Sequence, residues 1–376
     1  MLEGIVNKVN SEKKGQIAPV FEEKPVEGKD KKEELPLKKE ENKDRDDNSG
    51  IRISVIGVGG AGCNCVSRIK KNGIESARTV AVNTDKLHLK VVEAHRKHIL
   101  GKMVTKGLGS GGDPKVAEKA ADSDKDELRR LIGENEIVFV CAGMGGGTGT
   151  GASPLIARLA KEQGATVIGV VTYPFKLERS RIYRARDGLK KLMDEADTVI
   201  VVENDRLLSY VPNLPIDKAF ALADEISSKA VRGISDLVVL PSMMNVDYAD
   251  VRAVMKDGGL AMISIGKASG TGGGMAESAV ENTRNNPLLQ VSYEGAKGAL
   301  IHVAGSGGLT LGDATLICEG ISKDFNEDAE VKIGSRVDSG LGSSVEVTAV
   351  ITGVKAPHLF EEQKSQEHDE VLSSIL

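Results

Sequence analysis

Between residues 51 and 202, short runs of β-branched and aliphatic residues alternate with longer amphipathic stretches. Ile51–Ile56, Thr79–Val82, Ile137–Cys141, Thr166–Thr172 and Thr198–Val202 each sit between helix-like segments. These runs are continuously apolar rather than alternating, as strands covered on both faces must be. The rhythm predicts an α/β fold, a parallel Rossmann-like sheet flanked by helices, over residues 51–215. A long amphipathic segment follows, with Phe220, Ala223, Ile226 and Ala230 at helical spacing, and predicts a connecting helix over 216–236. Beyond Leu260 the pattern changes to a helix (Ala276–Arg284), a strand (Ala299–Ala304), a helix (Leu311–Phe325) and two neighbouring strands, Ala329–Ile333 and Ser344–Ile351. That reads as a smaller α+β domain over 237–354 with some antiparallel pairing.

The ends differ from this middle. Residues 1–50 interleave both charges with Phe21 as the single aromatic, and such a segment buries too little apolar surface to offset its ordering entropy. A disordered tail is expected, with a partner-binding arm as the other reading. Residues 355–376 turn polar and acidic before an apolar tip, Val371–Leu376. Overall, 50 Lys and Arg face 55 Asp and Glu, a net charge of −5, which gives no general drive toward a polyanion, and nucleic acid is not an expected partner. Four scattered cysteines (Cys63, Cys65, Cys141, Cys318) form no disulfide framework and suit a reducing cytosol. No stretch approaches the ~18 consecutive apolar residues of a membrane span, so direct membrane insertion is not expected.

Glycine, at 43 residues, carries the chemistry. Gly57-Val58-Gly59-Gly60-Ala61-Gly62 follows the first strand and opens a helix, where glycines admit a phosphate to the backbone and free N–H groups face it. With Asp85 at the end of the next strand, that loop alone fits a nicotinamide-binding oxidoreductase. A second run, Gly143 to Gly151, stands at an equivalent strand-to-helix junction, and a third, Gly107 to Gly112, ends at the helix cap Asp113-Pro114. A diphosphate bridge needs one such loop, so the count favours a nucleoside triphosphate. No G-x-x-x-x-G-K-[ST] occurs, which excludes the P-loop class.

Gly145-Gly146-Gly147-Thr148-Gly149-Thr150-Gly151 resembles the GGGTGTG run of the tubulin and FtsZ superfamily. Asn245 to Arg252 (NVDYADVR) resembles the FtsZ synergy loop, and Asn83-Thr84-Asp85 and Thr105 to Pro114 resemble its second and third loops. By this resemblance, over residues 51–354, the chain is identified as a member of the FtsZ family. The resemblance implies a GTP-dependent cytoskeletal protein that polymerises head to tail and forms the division ring of prokaryotic cells, in the cytoplasm. It places phosphate contacts on Gly60, Ala61, Gly62 and Asn64, on Gly109, Ser110 and Gly111, and on Gly145 to Thr150, and further nucleotide contacts on Gly59, Cys63, Asn83 and Asp85. Glu178 falls where the family binds ribose, Asn204 where it contacts the base, and Phe220 and Asp224 where it stacks and reads guanine. A carboxylate suits guanine, whose N1–H and N2 amine are adjacent donors. GTP is therefore expected over ATP, with Mg²⁺ accompanying it and no metal site built by the protein.

The bacterial pattern Glu-Gly-x-x-Arg reads here as Glu178-Arg179-Ser180-Arg181-Ile182, which is similar to archaeal members of the second type and leaves Arg179 or Arg181 to replace the family arginine. The bacterial C-terminal docking peptide has no counterpart in Glu361 to Leu376, where the apolar tip resembles an anchor for a membrane-tethering adaptor. Asp247 and Asp250, with Asn245, are the implied catalytic residues. Entering the pocket of the next subunit, the two acids would orient the water that attacks the γ-phosphate. On the residues alone, they are also simply an acidic helix start, well placed against the dipole. A polymer that binds nucleotide without hydrolysing it is a further alternative. His88, His95 and His98 read as a solvated basic surface rather than metal ligands, and Cys63 and Cys65 as packing residues rather than activated thiols.

Overall fold

In the computed structural model, residues 50–360 are described, apart from 211–214, 240–243, 245, 271–272, 286–287, 289 and 306–308. The expectations for the N-terminal tail to residue 49, for the tail beyond 360 and for Asn245 lie outside these residues.

Ten strands form one sheet in the order β3-β2-β1-β4-β5-β6-β7-β10-β8-β9. β1 (Ile53–Val58), β2 (Arg78–Asn83), β3 (Arg96–Ile99), β4 (Ile137–Gly143), β5 (Thr166–Tyr173) and β6 (Thr198–Glu203) are all parallel, and the order reverses between β1 and β4. β7 (Gly259–Ser269) pairs parallel with β6 and carries the sheet into the second half. There β10 (Ser344–Thr352) runs antiparallel to both β7 and β8 (Gly298–Gly305), and β9 (Glu330–Val337) is parallel to β8 on the edge.

Helices cover both faces. On one lie α1 (Gly59–Lys71), the long α9 (Ile216–Val239) and α10 (Tyr248–Met255), which bury Val66, Ile69, Ile226, Ile234, Val251 and Met255 against Val55, Phe139 and Ile200. The other face is covered by α4 (Pro114–Ser123), α5 (Lys125–Ile132), α6 (Thr148–Glu162), α7 (Arg179–Glu195), α11 (Gly273–Arg284) and α12 (Leu311–Ser322). Short helices α2 (Lys86–Val91), α3 (Lys102–Thr105) and α8 (Asn204–Tyr210) complete the first half. β1, β6 and all but the last residue of β4 are buried throughout, which explains their uninterrupted apolar runs.

Three features differ from the sequence reading. Residues 96–99, in the stretch read from the sequence as a solvated basic surface, form the edge strand β3, whose polar, half-exposed side chains hide its strand character. β7 was not anticipated at all, although it joins the two halves through Thr198↔Gly259 and the pairs that follow. β9 and β10 do not pair with each other, because β8 lies between them.

Candidate functional site

A cavity of about 520 Å³ opens at the carboxyl edge of the parallel strands, where the strand order reverses. Its wall takes Val58 from the end of β1, Asn83 from β2, Gly143 from β4, Thr172 from β5 and Asn204 just past β6. Three glycine segments meet there, represented by Gly60 and Ala61, by Gly109 to Gly112, and by Gly146 to Gly149. The helices these segments feed, α1, α4 and α6, have no acidic residue in their first turns; the Asp113 carboxylate already caps α4 by accepting from the Lys115 N–H, so α1 and α6 are the two whose N-termini carry no side-chain cap and offer N–H groups to an anion.

Side chains lock the loops together. Thr148 Oγ1 lies 2.7 Å from Thr84 Oγ1 and 3.3 Å from Ser110 Oγ, joining the second and third loops to the start of α6. His88 bridges the remaining pair: Asn83 Nδ2 donates to its Nδ1 at 3.2 Å, and its Nε2 donates to Asn64 Oδ1 at 3.1 Å. His88 also lines the cavity, which corrects its reading as solvated surface. No spacing rule signals it, because its partners come from two separate loops. Arg184, on α7, donates to the Gly112 carbonyl and was likewise missed.

At the other end of the cavity stand Pro174, Glu178, Arg181, Asn204, Phe220, Ala223 and Asp224. Phe220 meets Phe175 edge-on, ring centroids 5.5 Å apart, and leaves a face open beside Asp224, one turn further along α9. Asn204 is 4 % exposed, and its Oδ1 is a buried acceptor with no protein partner. Desolvation pushes the Asp224 carboxyl up to about 7, against a partial opposing pull from Arg68. Asn204 and Asp224 thus border one slot, and side chains that accept hydrogen bonds suit a flat base with adjacent N–H donors. Glu178 accepts from the Phe175 N–H at 3.1 Å and pairs with Arg181 at 2.5 Å. Arg181 therefore faces the cavity where Ile182 packs into the core instead.

Some expected contacts lie behind the wall rather than on it. Gly62 packs where a Cβ would meet the Cys141 carbonyl oxygen, so it seats α1 on β4. The Cys63 thiol, pushed up to about 12 by burial, points at the Gly57 and Val82 carbonyls. Gly145 takes φ 90° and its N–H donates to Thr150 Oγ1 at 2.9 Å, so these two shape the Gly143 to Gly151 run. Gly59 and the exposed Asn64 are also outside the lining, and the Asp85 carboxylate caps α2 by accepting from the Leu87 and His88 N–H groups while its residue borders the cavity.

Asp247 and Asp250 sit at the opposite edge of the sheet. Asp247 caps α10, accepting from the Asp250 N–H at 2.8 Å, and Asp250 returns the bond to the Asp247 N–H at 3.2 Å. Tyr248 Oη lies 3.1 Å from Thr166 Oγ1, at the first residue of β5, and the Met255 carbonyl accepts from Thr198 Oγ1 at the first residue of β6. Cavity and acids are thus separated by the length of β5, about 20 Å from Thr166 to Thr172. Among the described residues no group of three His, Cys, Asp or Glu is arranged to hold a metal, and no helix is long and apolar enough to cross a membrane.

A sheet with its ligand cleft at the strand reversal, walled by three glycine loops and continued by a long helix, defines a tubulin-like GTPase. Residues 52–212 match the Tubulin/FtsZ family GTPase domain and residues 259–355 the FtsZ family C-terminal domain. The chain is 48 % identical to "Cell division protein FtsZ 2" of Methanocaldococcus jannaschii, over 84 % of this chain and 83 % of that protein. It is 44 % identical to the FtsZ 2 of Haloferax volcanii, over 88 % and 83 %. The structure of an empty FtsZ dimer from M. jannaschii superposes with a TM-score of 0.78 at 42 % identity, covering 82 % of this chain and 89 % of that one. CetZ2 from H. volcanii, a GTPγS-bound protofilament, shares the fold at a TM-score of 0.70 and 20 % identity, covering 86 % and 99 %. The chain belongs to the FtsZ family. The nicotinamide oxidoreductase alternative is not supported, since one loop out of three is all it explains.

Proposed function

We propose that this chain binds GTP in the three-loop cavity, assembles head to tail with copies of itself, and hydrolyses GTP at each junction, in the cytoplasm at the division site. The observation that carries the reading is the separation of Asp247 and Asp250 from the cavity by the full length of a buried strand. No motion within one folded chain brings them together, whereas stacking the amino edge of one sheet on the carboxyl edge of the next does. Such a heterologous contact repeats without closing and makes a filament.

Within the site, the backbone N–H groups of the three loops carry the phosphates, Phe220 and Asp224 with Asn204 hold guanine, and Glu178 with Arg181 holds the ribose side. Asp247 and Asp250 of the neighbour orient and polarise the water whose oxygen bonds to the γ-phosphorus as the bond to the β-phosphate oxygen breaks, giving GDP and phosphate. Mg²⁺ would accompany the bound triphosphate, where it would neutralise phosphate charge. A membrane-tethering adaptor is assigned to the tail, residues 355–376; deleting Val371–Leu376 should abolish division-site recruitment.

Asp250→Asn tests the reading. GTP binding and filament formation should persist, while phosphate release falls by at least ~10². Loss of nucleotide binding in the same proportion would refute the shared site, and unchanged release would favour a polymer that does not use these acids.

A further inference from the structure

We propose that Lys332 is a positioning residue for hydrolysis, holding the Asp250 carboxylate in the orientation in which it is presented to the neighbouring subunit's nucleotide. This rests on the shared-site reading and adds to it a residue outside the synergy-loop motif, on a different element.

Lys332 lies on the edge strand β9, and its Nζ is 3.0 Å from Asp250 Oδ1 and 2.8 Å from Glu330 Oε1. Asp250 Oδ2 is already committed to the Asp247 N–H. The carboxylate is therefore fixed at both oxygens, one by its own loop and one by β9. Its plane is set before any partner arrives, which is the kind of pre-orientation on which water positioning depends.

Charge argues the same way. The loop holds two acids one capping box apart, and Glu330 adds a third to the cluster, so presenting it to a triphosphate is repulsive unless a cation travels with it. Lys332, from β9, is that cation among the groups bonded to Asp250, whereas Arg252, the basic residue of α10 itself, is exposed to solvent. Lys332 beside Asp250 also holds its carboxyl below the usual carboxylate range, so the acid acts as a permanent anion near neutral pH and not as a group that titrates during turnover.

The experiment is a double-mutant cycle on the full chain, read as phosphate release per polymerised subunit, with GTP binding by unassembled subunits measured alongside. Lys332→Met keeps the apolar stem and removes the charge; release should fall by about tenfold, the scale of a misplaced water-orienting group, with GTP affinity unchanged. Lys332→Arg should restore most of it, and Lys332→Gln, a second uncharged variant, should behave as Lys332→Met does. Asp250→Asn combined with Lys332→Met should be no slower than Asp250→Asn alone. Parental release in the uncharged variants, failure of arginine to rescue, or a further tenfold loss in the double variant would overturn the proposal. Parental release by Asp250→Asn itself would instead sink the shared site on which it rests.

Discussion

The Tyr248 hydroxyl meets Thr166 Oγ1 at 3.1 Å, which fixes Asp247 beside the first residue of β5, while Thr172 near the other end of that strand lines the cavity. One strand thus measures the distance between the cavity and the two acids. Specific GTPase activity should accordingly rise from near zero above a threshold protein concentration. Phosphate release measured with light scattering on one dilution series checks this, and strict proportionality down to dilute protein would contradict it.

Asp224 should make GTP affinity depend on pH. In the ligand-free protein the carboxyl titrates near 7 because the cavity floor desolvates it, and guanine donors bond the ionised form. Affinity of unassembled subunits should be flat above pH 7 and fall by up to about tenfold per unit below it. Asp224→Asn should remove that dependence, leaving only titration of the nucleotide. The sign for stability is opposite: a raised carboxyl pKa means the folded state binds more protons, so the ligand-free fold loses stability as pH rises from about 4 to 7. Thermal melts without nucleotide should show that loss in the parent and not in Asp224→Asn.

Two neighbouring glycines should respond in opposite ways. Gly62→Ala drives a methyl onto the Cys141 carbonyl, where two backbones meet, and should destabilise the fold by about 2 kcal/mol or more. At Gly60 a Cβ meets nothing within 4 Å, so Gly60→Ala should melt with the parent yet weaken GTP binding, because the methyl stands on the cavity wall. Equal melting points for the two variants would contradict this division between packing and binding.

His88→Ala unties Asn64 from Asn83. Losing two hydrogen bonds that organise the loops, it should reduce nucleotide affinity by about threefold to tenfold, with a smaller effect on the melting temperature. Isothermal titration of GDP into unassembled protein measures the change; an unaltered dissociation constant would remove His88 from the site.

The parallel half of the fold was legible because each strand is buried on both faces and each loop is written in glycine. β3 escaped because an edge strand of four residues, Arg96-Lys97-His98-Ile99, looks like surface. β7 escaped because its run, Gly259 to Ser269, is mixed with small residues, so that the glycine-rich stretch Ser269 to Gly274 behind it reads as a connection not fed by a strand. At the site, the residues that line the cavity by backbone were readable, whereas His88, Arg184 and Lys332 were not. Each of these acts on a partner from a distant segment, and only the folded register of the sheet brings such pairs together.

An open chain of subunits joined edge to edge always has one junction fewer than it has members. On the shared-site proposal, the leftover at one tip is a loaded bowl of amides with no acids above it, and its triphosphate should survive until another molecule docks there. At the opposite tip the leftover is a pair of acids with nothing to act upon. With α10 at the amino edge of the sheet and the cavity at the carboxyl edge, such a polymer would have chemically unlike ends, and the nucleotide behind its loaded tip would record its age.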